Sequence, residues 1–196
     1  MRYILASASP RRKEILSSLG LHFEVIVSDT DEKSDERDLG LFVEDVARKK
    51  GLAVKETLVS KGEYTSDTVI ISADTIVVCD NEILGKPHGR ADAERMLRSL
   101  SGRTHTVISG VAITAGDKIV SDRSETLVTF DDICEEALAA YLDSDEPYDK
   151  AGAYGIQGKA SVFVKGIEGC YFGVVGLPVN CLINLAKNNE IKLELN

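Results

Sequence analysis

Short apolar runs alternate with amphipathic stretches along this chain. Residues 3–6 (Tyr-Ile-Leu-Ala) form a run of the length of one buried strand. Ser9 then offers a side-chain oxygen to cap a helix with Pro10 at its first position. Ile15, Leu16 and Leu19 give that helix an apolar stripe, and Gly20 ends it. Residues 23–27 predict a second strand, followed by an acidic loop over 29–38. Leu41, Phe42, Val43, Val46, Ala47 and Val54 predict a helix over 41–59, and residues 68–79 a strand with Asp74-Thr75 set inside apolar sequence.

Asp80-Asn81 turns the chain into Ile83-Leu84, and the loop Gly85-Lys86-Pro87 follows. Residues 91–100 read as a helix with Gly102 just past it. Residues 104–114 and 118–130 read as a long hairpin around Ala115-Gly116-Asp117. Asp132 and Glu135 have capping-box spacing before a helix that ends near Leu142. A glycine-rich loop covers 145–160, short strands are predicted at 161–167 and 171–175, and a last helix runs from Leu177 to Lys187. This order predicts an α/β protein with a mixed sheet flanked by helices. No repeat or linker divides it, so we expect one domain over residues 1–196, with a weak division into two lobes.

Composition narrows the function classes. The 196 residues are 43% hydrophobic and 28% charged, which is ordinary for a globular protein. No run approaches the roughly 20 apolar residues of a membrane span. The first apolar run is too short for a secretory segment, so a cytoplasmic protein with no membrane partner is expected. The net charge of -9 disfavours nucleic acid as a partner. Cys79, Cys134, Cys170 and Cys181 form no Cys-x-x-Cys pair, which argues against a zinc or disulfide framework. Neither a P-loop nor a Gly-x-Gly-x-x-Gly motif occurs, which disfavours an ATPase or a dinucleotide enzyme.

Four places can carry chemistry. Arg11 and Arg12 fall in the first turn of the predicted helix, where cations oppose the helix dipole by about 0.3–1 kcal/mol each. A bound anion, held also by the Ser7 and Ser9 hydroxyls and free backbone N–H groups, would explain them. Bridges to acidic residues such as those of the 29–38 loop would explain them equally well, and spacing does not decide. Asp74 is costly to bury unless it is paired or metal-bound; it suits a metal ligand, a general base for water, or both, and a strand-end cap is the plainer reading. Lys86 in Leu-Gly-Lys-Pro and Lys50, placed near a helix end before Gly51, suit phosphate as point charges; the plainer readings are a favourable helix C-terminal charge for Lys50 and an exposed loop lysine for Lys86. Gln157, in the glycine-rich loop, offers the donor and acceptor that a base edge needs.

Several motifs in order add to this. The segment Leu5-Ala-Ser-Ala-Ser-Pro-Arg-Arg12 resembles the signature of the Maf family of nucleoside triphosphate pyrophosphatases. Ala73-Asp-Thr75, Leu84-Gly-Lys-Pro87, Leu100-Ser-Gly-Arg-Thr-His105, Asp145-Glu-Pro147, Asp149-Lys-Ala-Gly-Ala-Tyr-Gly-Ile-Gln-Gly158 and Val174-Val-Gly-Leu-Pro178 continue the match over essentially the whole chain. The resemblance implies an elongated mixed sheet with a central cleft, related to inosine triphosphate pyrophosphatases. It implies cleavage of a nucleoside triphosphate substrate between its α- and β-phosphates with a divalent cation, Mg²⁺ or Mn²⁺.

By the same resemblance Asp74 is the proton acceptor and touches the metal, and Glu32 is the second metal ligand. Ser7, Arg11, Arg12, Lys50 and Lys86 bind the triphosphate. Arg11, Thr75 and Gln157 fall at positions tied to substrate choice. The Tyr-Gly-Ile-Gln run resembles the branch that acts on dTTP and UTP; the branch that acts on 7-methyl-GTP has an acidic residue where Gln157 stands. Modified pyrimidine triphosphates fit the same pocket. A homodimer is expected from the resemblance alone. The alternative from another class is a nucleotide-binding regulator of cell division or septum formation with little turnover.

Overall fold

The computed structural model describes residues 1–28 and 30–195; Asp29, the first residue of the expected acidic loop, lies outside them. Strand β1 (Arg2–Leu5) buries Tyr3, Ile4 and Leu5 in succession, as a strand covered on both faces must. It pairs in parallel with β2 (Glu24–Val25) and with β3 (Thr68–Cys79). Strand β4 (Glu82–Leu84) turns back antiparallel on β3. Strands β5 (Thr104–Ala115) and β6 (Lys118–Phe130) form the expected hairpin, and β7 (Val164–Glu168) lies antiparallel to β6. Together they make one seven-stranded mixed sheet in the order β2-β1-β3-β5-β6-β7, with β4 branching from β3. The helices are α1 (Pro10–Ser18), α2 (Leu39–Ser60), α3 (Arg90–Leu100), α4 (Glu135–Leu142), α5 (Tyr171–Val175) and α6 (Val179–Asn188). The mixed α/β class read from the sequence is the class observed. No described helix is long and apolar enough to cross a membrane.

The chain divides into two compact units. The first holds Met1–Asp74, Ser109–Ser124 and the segment from Gly176; the second holds Thr75–Ile108 and Glu125–Val175. In the first, Ile4, Ala6, Val54, Leu58 and Ile70 form a core cluster. Two glycines let α2 lie close to the sheet there. A Cβ on Gly110 would fall 2.5 Å from the Val43 carbonyl oxygen, and one on Gly51 would fall 2.9 Å from the Thr114 hydroxyl. The Ser72 hydroxyl completes the seam by donating to the Ala47 carbonyl at 2.7 Å. In the second unit, Leu97 and Leu100 of α3 pack with Phe130, Leu138, Tyr141, Tyr154 and Phe163.

Several local expectations fail for identifiable reasons. Glu135 makes no capping box: α4 starts at Glu135 without a side-chain cap, and Glu135 instead takes both terminal nitrogens of Arg98, at 2.6 and 2.7 Å. Residues 171–175 are helical, not a strand. Gly169 (φ 128°) turns the chain, the Thr126 hydroxyl accepts the Cys170 N–H, and Val174 N–H closes a helical turn on the Cys170 carbonyl. The strand expected at 161–167 starts only at Val164, after a 3-10 turn over Lys159–Phe163. The expected 145–160 loop contains the 3-10 turns Glu146–Asp149 and Ala151–Ala153 and leads into the third. The second strand shrinks to Glu24–Val25.

Candidate active site

The turn from β1 into α1 is built as the sequence suggests. Ser9 is the N-cap and Pro10 opens the helix; the Ser9 hydroxyl accepts the Arg12 N–H at 3.5 Å. Ser7 is buried, and its hydroxyl accepts from the Ser9 N–H at 3.2 Å and from an Arg12 terminal nitrogen at 3.1 Å. Arg12 also donates through Nε to the Gly176 carbonyl at 2.7 Å. The side chain of Arg12 is therefore pinned back across its own helix N-terminus. Burial pushes its guanidinium below the ordinary arginine value, and the like charge of Arg11 adds to this. The negative charges of Asp74 and Glu32 act in the opposite sense. Arg11 itself is half-buried in the same first turn.

The acidic half of the site hangs on Lys50. The buried stripe of α2 runs Val43, Val46, Ala47, Lys50, Gly51, Val54 and Leu58, so an ammonium interrupts an otherwise apolar face at helical spacing. Lys50 is not at a helix end, as expected from the glycine after it, but in the middle of a 22-residue helix. Its side chain is 9% exposed and donates to the Asp74 carboxylate at 2.8 Å. It meets the Glu32 carboxylate at 2.7 Å, with Glu32 itself 59% exposed. Asp74 is buried inside β3 rather than capping a strand end. Burying an ion pair is tolerable only when both partners keep good geometry, which these distances provide.

The two carboxylates thus converge on one nitrogen. Hard divalent cations of the Mg²⁺ type bind through one or two carboxylates completed by substrate phosphates, not through all-protein cages. Asp74 and Glu32 fit that donor set, and no group of three or more His, Cys, Asp or Glu arranged for a metal occurs among the described residues. The neighbouring basic residues behave differently. Arg48 and Lys49 both reach Asp45, at 4.0 and 2.8 Å, and belong to a solvated helix face. Ser34 and Lys49 also tie the acidic loop to α2, through Asp45 at 2.5 Å and the Lys33 carbonyl at 2.9 Å.

The remaining expected residues belong to the second unit. Thr75 follows Asp74 directly in β3 and is half-buried. Lys86 is exposed; the carbonyl of its neighbour Gly85 accepts the Gly152 N–H at 3.1 Å, which anchors the lysine loop. Gln157 is exposed within a turn closed by the Gly158 N–H on the Gly155 carbonyl at 3.1 Å. The structure thus brings Ser7, Arg11, Arg12, Glu32, Lys50 and Asp74 together in the first unit, and gives Thr75, Lys86 and Gln157 their own settings in the second.

Two participants escaped the sequence reading. Gly176 falls between the expected 171–175 strand and the last helix, inside a family-matching run, yet its carbonyl orients Arg12 from a backbone with φ 126°, a conformation that favours glycine. Glu146 lies inside the family-matching run Asp145-Glu-Pro147, but nothing in the sequence gives it a role. Its carboxylate gathers the Lys159 N–H at 2.8 Å, the Ala160 N–H at 3.4 Å and the Tyr141 hydroxyl at 3.2 Å. His105, the last residue of the Leu100–His105 run, has a structural setting. It is buried, its Nε2 lies 2.8 Å from the Tyr154 hydroxyl, and burial depresses its pKa to about 4.

Comparison with known proteins shows what this chain is similar to. A family model described as Maf-like protein matches residues 2–189. Proteins named dTTP/UTP pyrophosphatase from Bacillus cereus and Bacillus anthracis are each 47% identical over 194 residues, covering 97% of this chain and 96% of theirs. One from Bacillus thuringiensis subsp. konkukian has the same identity and coverage.

Proposed function

This chain belongs to the Maf-like protein family, and from that premise we propose that it hydrolyses dTTP and UTP to the monophosphate and pyrophosphate. The observation that carries the chemistry is the convergence of Asp74 and Glu32 on Lys50 in the unit that also holds the Ser7–Arg12 turn. Such a site combines anionic oxygen ligands with fixed cations, which is what phosphoanhydride cleavage needs. The identity to proteins named for dTTP and UTP supports these substrates, with modified pyrimidine triphosphates as close analogues.

In this reading Asp74 accepts a proton from the attacking water. The water oxygen bonds to the α-phosphorus, the α–β bridging bond breaks, and pyrophosphate leaves with the electron pair. Arg11, Arg12 and Lys50 neutralise charge on the leaving pyrophosphate. Ser7 holds Arg12 in place through its hydroxyl. Asp74 and Glu32 would hold Mg²⁺ or Mn²⁺, which supplies Lewis-acid charge neutralisation at the phosphates. Lys86 is assigned to phosphate, and Thr75 and Gln157 to substrate choice, by family motif rather than by geometry. A homodimer in the cytoplasm completes the proposal, and sedimentation velocity reads the oligomeric state.

Substituting Asp74→Asn keeps the shape and removes the proton acceptor. We expect kcat for UTP to fall by about 10²–10⁴. Unchanged turnover in that variant would remove Asp74 from the mechanism.

A further inference from the structure

The turn that carries Gln157 is held at both of its ends. Gly155, Ile156, Gln157 and Gly158 form a β-turn closed by the Gly158 N–H on the Gly155 carbonyl at 3.1 Å. Ile156 packs onto the core of the second unit, whereas Gln157 is exposed. At Gly155 the methylene stem of Lys150 lies so close that a Cβ would fall 2.8 Å from its Cε. At Gly158 no Cβ fits, because the Glu146 carboxylate occupies that space.

Glu146 does more than fill it. Gly158 is the N-cap of the 3-10 turn Lys159–Phe163 and has no side chain with which to cap it. The Glu146 carboxylate supplies the missing acceptor from 13 residues away, taking the Lys159 N–H at 2.8 Å and the Ala160 N–H at 3.4 Å. The Tyr141 hydroxyl donates to the same carboxylate at 3.2 Å, and Lys150 Nζ donates to the Glu146 carbonyl at 2.7 Å. One side chain therefore ties the exit of the Gln157 turn to helix α4, while the Lys150 stem braces its entrance.

An exposed amide reads a base edge only if its backbone is fixed, because otherwise the ordering entropy offsets the hydrogen bonds it makes. We infer that Glu146 is a positioning residue for Gln157 and thereby sets which pyrimidine base the protein accepts. Glu146 touches no substrate; it acts through the turn. The inference rests on the reading of Gln157 as the base-contacting residue.

The test is a double-substitution cycle on the full chain, with affinity for UTP and CTP measured by calorimetry and turnover of both measured separately. Glu146→Gln keeps the size but replaces one acceptor with an amide NH₂ facing backbone N–H groups. We expect it to weaken UTP binding about tenfold, to raise KM, to leave kcat within about twofold and to narrow the preference for UTP over CTP. Gln157→Ala should do the same, and the double variant should be no worse than the poorer single one, because both act on one contact. Gly158→Ala disturbs the same seat from the other side and should reproduce the KM effect, which covers a Glu146 variant that folds poorly. Multiplicative losses in the double variant, or a fall in kcat with KM and base preference unchanged, would overturn the inference. Binding that follows the cycle without turnover would overturn the proposed hydrolysis and leave the role of Glu146 standing. Hydrolysis with multiplicative losses would do the reverse.

Discussion

At the scale of single residues, Lys50 is the most exposed to test. It holds a buried carboxylate in β3 and an exposed one in the acidic loop with the same ammonium. Lys50→Met would leave Asp74 buried without its cation, and removing one partner of a buried pair costs about 3–5 kcal/mol. For a chain of this length that lowers the melting temperature by on the order of 10 °C, read by circular dichroism. Asp74→Asn should cost less, because Lys50 retains Glu32. His105 gives the pH dependence. Its folded pKa of about 4 lies below the ordinary value of 6.5, so the unfolded chain binds the proton first. Stability is fully present above the unfolded value and falls as pH drops from about 6.5 towards about 4. Melting temperatures between pH 6.5 and 4.5 should decline in the wild type and decline much less in His105→Phe. A residue like Lys50 could be read from sequence as functional but not as buried. The glycine after it reads as a helix stop, whereas here that glycine is what lets the helix approach Ser72 and Thr114.

At the scale of elements, the contact of α2 with the sheet explains why this helix can carry a buried lysine. Gly110 faces the Val43 backbone with no room for a methyl group. Gly110→Ala should therefore destabilise the protein by about 1–3 kcal/mol in urea unfolding. Gly166→Ala in β7 meets open space and should stay within about 0.5 kcal/mol. The strongly periodic and capped elements were legible. Pro10 after Ser9 fixed the start of α1, and the apolar spacing over 41–59 located α2, which Asp38 extends by capping Leu41 N–H at 2.9 Å. Elements decided by distant partners were not legible. Tyr171–Val175 has strand-like residues but is turned into a helix by Gly169 and the Thr126–Cys170 bonds. The 145–160 stretch resembles a loop because its organiser, Glu146, bonds residues far along the chain.

At the scale of the whole molecule, the mixed sheet follows from the order of apolar runs, but the division into units does not. The boundary falls between Asp74 and Thr75, inside one continuous strand, where no composition change marks it. Family membership, not local chemistry, joins the residues of the two units into one proposed function. That function makes a chemical claim about which bond breaks, and product analysis reads it directly. The protein incubated with UTP and Mg²⁺ should release UMP and pyrophosphate in equal amounts, and Asp74→Asn should release both at least about 10²-fold more slowly. Release of UDP and orthophosphate as the first products would contradict the account.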